Sequence, residues 1–92
     1  MAEGNMMPVM PWEVIASNIA EAREQLQEIE ALISRGKPPN ETEFQIMMQH
    51  AYHHLNFAWN MRNHPVERYA KLSKEDFDRW EAFPDDLAFR DA

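Results

Sequence analysis

The sequence predicts an all-α fold: an antiparallel helical hairpin with a short third helix, completed to a four-helix bundle by dimerisation. Three observations predict it. Apolar residues recur at alternating steps of three and four over two long stretches, helix-stop signals separate those stretches, and a capped short segment lies near the C-terminus. Residues 1–10 read as a flexible apolar arm with Met6, Met7, Val9 and Met10, and residues 11–92 as one helical domain.

The first helix is expected over about 11–35. Pro11 suits a first helical turn, and Trp12, Ile15, Ile19, Ala22, Leu26, Ile29 and Ile33 form an apolar stripe, with Glu13, Glu21, Glu24, Gln27 and Glu28 outside it. Gly36 supplies a left-handed stop, and Pro38 and Pro39 forbid continuation. Asn40, with Glu43 three residues on, resembles a capping box for a second helix over about 41–63, limited by Pro65. Asn40-Glu41-Thr42 also matches a glycosylation sequon, but the capping reading is the stronger one in a chain that shows no export signal.

The second helix carries Phe44, Met48, Ala51, Leu55 and Ala58 at the same spacing, and has no charged residue between Phe44 and Met61. Further apolar groups, Ile46, Met47, Tyr52, Phe57, Trp59 and Met61, surround that stripe, so one partner helix cannot cover it all. This helix is therefore expected to be central. Its wettest strip is made of amides, Gln45, Gln49, Asn56, Asn60 and Asn63, which tolerate partial burial better than charges do. Antiparallel pairing sets Ile33 near Phe44, Ile29 near Met48, Leu26 near Ala51, Ala22 near Leu55 and Ile19 near Ala58, with Arg23 near Tyr52 for a cation–π contact. A third helix, about 73–83, starts at Ser73 as cap with Asp76 at its third position, and Pro65 to Lys71 offers a short helical turn before it.

Composition narrows the function. Sixteen acids against nine bases give a net charge of −7, and the bases are scattered, which argues against nucleic acid and against anionic lipid. Cysteine is absent, so thiolate chemistry and disulfides are excluded. No apolar run reaches the roughly 18 residues of a membrane span, and the expected location is the cytoplasm. With only Gly4 and Gly36, phosphate-cradling loops are missing, and no Ser-His-acid or Glu-x-x-His pattern stands out. A non-enzymatic chain without a cofactor is expected.

All four histidines, His50, His53, His54 and His64, lie on or just after the second helix. His50 and His54 are one turn apart on one side, the spacing of two metal ligands. The expected register places Asn18 and Gln25 beside them rather than a carboxylate, so the hairpin does not complete a metal site. The main expectation is therefore an interaction or oligomerisation module, and the alternative is a histidine-based metal-binding protein. The expected partner is protein, a second copy of the chain, docked through Ile46, His50, His53, Phe57 and Met61. Ile46, His50, Phe57 and Met61 lie on one side of the second helix that the first helix leaves free.

Overall fold

A computed structural model describes residues 10–88, and these contain four helices and no strand. They are α1 (Trp12–Ser34), α2 (Glu41–Asn60), α3 (Val66–Ala70) and α4 (Lys74–Glu81). The expected apolar arm, apart from Met10, lies outside the described residues, as does Phe89. α1 and α2 form the hairpin, and α4 packs on α2, which makes α2 the central element.

Local chemistry explains each boundary. Past α1, Gly36 adopts φ 72°, and its amide donates to the Ile33 carbonyl at 3.0 Å while Lys37 donates to Leu32 at 2.9 Å. These two bonds satisfy orphan carbonyls of the last turn in the Schellman manner, which needs a residue comfortable at positive φ. At the start of α2 the capping box forms: the Glu43 amide donates to Asn40 Oδ1 at 2.8 Å, and the Asn40 amide donates to Glu43 Oε1 at 3.0 Å. α2 ends at Asn60, three residues before the expected end, with Met61 as its C-cap. Ser73 caps α4 by accepting from the Asp76 amide at 3.0 Å.

The core sits at one end of the hairpin. Val14 and Ile15 of α1, Phe57 and Ala58 of α2, Met61 and Trp80 form one buried cluster, against which Met10, Val66, Tyr69 and Leu72 pack. Amides of α2 hold α4 there. Asn60 donates to the carbonyls of Trp80 at 2.9 Å and Ala82 at 2.7 Å, and Asn56 donates to the carbonyl of Glu81 at 2.9 Å. These bonds satisfy carbonyls at the C-terminal end of α4, which lacks a glycine stop. The segment after α4 is tied back by Asp86, which accepts from Trp59 Nε1 at 2.9 Å and from Arg62 at 3.1 Å, with the Arg62 guanidinium 3.7 Å from the Trp59 ring centroid.

The expected apolar stripe divides in two. Ile15, Ala22, Ile29, Ala51 and Ala58 are buried in the seam, whereas Trp12, Ile19, Leu26, Ile33, Phe44 and Leu55 stand between 41 and 61% exposed. A helix facing a single partner covers one line of residues completely; the neighbouring line needs a further layer. Asn18 meets His54 and Gln25 meets His50, the neighbours that the expected pairing gives these histidines. The expected Arg23–Tyr52 contact is not formed among the described residues, where the guanidinium-on-ring contacts are Arg62 on Trp59 and Arg68 on Trp80.

Candidate functional site

Two surfaces flank the α1–α2 seam, and the helical repeat assigns residues to them. With Ala22 at the seam, Asn18 and Gln25 turn to one side of α1 and Ile19 and Leu26 to the other, about 100° apart. With Ala51 at the seam, His50 and His54 turn to the first side and Leu55 to the second.

On the second flank Trp12, Ile19, Leu26 and Ile33 follow one another at intervals of seven residues, all exposed. Ile19, Ala22, Leu26 and Leu55 line an open groove of about 390 Å³, bordered by Arg23 and Glu30. Arg23 is the single base of α1, and among the described residues it has no ion-pair partner. This flank was not singled out by sequence reasoning, because its residues were assigned to the interior. The available signal was that both lines of the stripe, not one, were long.

On the first flank the histidines are held by α1. His50 Nδ1 lies 2.7 Å from Gln25 Oε1, His54 Nδ1 lies 2.9 Å from Asn18 Oδ1, and the two Nε2 atoms face each other at 3.3 Å. Each amide is itself oriented. Asn18 donates to the Val14 carbonyl at 3.1 Å and Gln25 donates to Glu28 at 3.3 Å, so in both cases the oxygen is left to accept from the ring. Burial, and then the neighbouring His53 and His50, lower the pKa of His54 below the ordinary 6.5, which favours neutral imidazole.

The residues expected at the interface scatter. Phe57 is 2% exposed and Met61 fully buried, both in the core that α4 closes, so neither offers a surface to a partner. The third helix does not cover that side alone: Val66 and Tyr69 of α3, Leu72 and Trp80 of α4 all converge on it. Ile46 remains exposed, beside a groove with Leu32, Pro39 and Met47 near the turn of the hairpin. His50 is exposed and bound to Gln25; His53 is partly buried, 3.1 Å from Glu81 Oε1 and stacked with Phe57 and Phe77 at ring-centroid distances of 4.7 and 5.5 Å. His64 accepts from Arg68 at 3.0 Å and packs on Trp80. Among the described residues no group of three His, Cys, Asp or Glu stands assembled for a metal, and no helix is long and apolar enough to cross a membrane. Comparison with protein-family models, with curated proteins and with solved structures gave no match.

Proposed function

We propose that the chain is a non-enzymatic oligomerisation module that pairs with a second copy of itself across the open flank of the hairpin, giving a four-helix bundle. The observation that carries this reading is the exposed line Trp12, Ile19, Leu26 and Ile33, joined by Leu55 and Phe44 from α2. Apolar residues repeated every seven positions are the pattern of a helix–helix seam, and here they have no partner within the described chain. The stripe spans about 32 Å over 21 residues, and at a width of two helices, about 20 Å, its footprint is about 600 Å² per chain. Two such faces give about 1,200 Å², the lower bound of a stable specific interface.

Charge favours a second copy as occupant. A two-fold axis crossing near Leu26 pairs Ile19 with Ile33 of the partner subunit and sets Arg23 opposite Glu30 of the partner subunit, twice by symmetry. The groove over Ala22 then receives an apolar side chain from the opposite helix. A net charge of −7 on each chain opposes association at long range, so the apolar stripe supplies the attraction and the two ion pairs supply the register.

Sedimentation at micromolar concentration tests the reading. The wild type is expected to run as a dimer and Leu26→Glu as a folded monomer with unchanged helicity. Arg23→Glu and Glu30→Arg are each expected to weaken association, and the double exchange to restore it. A monomeric wild type, or a Leu26→Glu dimer, contradicts the proposal.

A further inference from the structure

We propose that His50 and His54 form a chelating site for a divalent transition metal ion, Zn²⁺ or Cu²⁺, on the flank opposite the self-association face. Each Nδ1 faces an amide oxygen, Gln25 Oε1 for His50 and Asn18 Oδ1 for His54, and an oxygen can only accept. Both amides are fixed in that sense by their second bonds, from Gln25 to Glu28 and from Asn18 to the Val14 carbonyl. Each Nδ1 therefore carries the proton, and each neutral ring presents its lone pair at Nε2. The two nitrogens stand 3.3 Å apart with the ring centroids 5.0 Å apart and the rings tilted by 52°, so two lone pairs crowd one place, and a cation there relieves the crowding.

That distance matches a metal. Two nitrogens about 2.05 Å from one tetrahedral ion stand about 3.3 to 3.4 Å apart. An imidazole that binds metal through one nitrogen while donating the other N–H to an oxygen is also the usual arrangement, because the outer bond fixes the tautomer and raises ligand basicity. Here both rings have it before any ion arrives. His50 is exposed, so the ion enters from solution. Glu21 lies three residues after Asn18 and four before Gln25 on the same flank of α1, which makes its carboxylate the one to test as a third ligand, with water otherwise completing the shell. No third ligand is already in position among the described residues, so the site is open and the ion exchangeable. Imidazole nitrogen with a carboxylate suits zinc and copper and disfavours calcium or magnesium, which take oxygen ligands.

Calorimetric titration of the full-length, tag-free protein with ZnCl₂ and with CuCl₂ tests the proposal. One ion per chain with a dissociation constant near micromolar is expected. His50→Ala and His54→Ala should each weaken binding at least tenfold, and Gln25→Leu about tenfold by releasing its ring. His53→Ala should titrate as the wild type, and Cu²⁺ should show an absorption and spin-resonance signature of nitrogen ligation that the two alanine variants lose. Wild-type binding weaker than millimolar leaves a shared proton as the bridging cation and overturns the proposal, as does binding that survives both alanine variants. Unchanged affinity in Glu21→Gln removes the carboxylate from the shell. Sedimentation of the same variants keeps this test separate from self-association, which none of them is expected to alter.

Discussion

Met61 and Ile46 were both expected on the outer face of the second helix, and their fates show what a single residue's pattern can and cannot reveal. Met61 is fully enclosed, whereas Ile46 is 60% exposed. Truncating a buried methionine leaves a cavity as well as losing transfer energy, so Met61→Ala is expected to destabilise by about 2 to 5 kcal/mol, and Ile46→Ala by less than about 0.5 kcal/mol. Chemical denaturation of both variants checks this; equal midpoints would mean that α4 does not close over Met61. The pairing of His50 and His54 was legible from their spacing alone, and so was the proximity of Asn18 and Gln25. Their role was not. An amide beside a histidine reads as a missing ligand until its own second hydrogen bond is seen, and that bond to Val14 or Glu28 depends on rotamers that no periodicity encodes.

Among the elements, the two long helices and their stops were readable because each boundary has a local cause: the Asn40–Glu43 box, the positive φ at Gly36 and the Ser73 cap. The docking of α3 and α4 was not readable, since it rests on how Val66, Tyr69, Leu72 and Trp80 meet the core and on side-chain hydrogen bonds that no periodicity encodes. Arg68 of α3 grips Asp76 of α4 with two bonds of 2.8 and 2.9 Å, and also donates to His64. Hydrogen bonding from Arg68 holds the Asp76 carboxyl below its usual range, so this pair stays ionised through mildly acidic solution. His64 behaves differently. Burial, then the charge of Arg68, lowers its pKa below 6.5 against a smaller opposing pull from Asp76, with Arg79 adding to the lowering. Its folded form thus resists protonation while the unfolded chain accepts a proton. The stability His64 contributes is complete above about pH 6.5 and is lost as pH falls below that toward its folded value. Urea midpoints of metal-free protein are expected to fall between pH 7.5 and pH 5.5, and the fall should be smaller in His64→Gln. An identical fall in the variant would assign the acid sensitivity elsewhere.

Across the whole molecule, the all-α character, the hairpin and the central place of α2 followed from apolar spacing, but the way the layers close did not. The sequence distinguishes buried from wet residues only when one face is covered; where two adjacent lines are apolar, spacing cannot say which line receives the neighbouring helix and which awaits another layer. Ile15, Ala22 and Ile29 took the first place, and Ile19 and Leu26 the second. The core cluster also lies entirely toward the end of the hairpin where α1 begins and α2 finishes, while the Ser34–Pro39 turn has neither α3 nor α4 over it. Stability is therefore graded along one rigid-looking pair of helices. Amide hydrogens of Ala58 and Asn18 should exchange with deuterium only when the entire chain opens, whereas those near Ile33 and Met48 should exchange through fraying that starts at the turn. In the presence of a second copy that gradient should flatten, because Ile33 and Phe44 lie at the frayed end of the stripe, so the rate at which deuterium enters the turn becomes a measure of how much of the protein is paired.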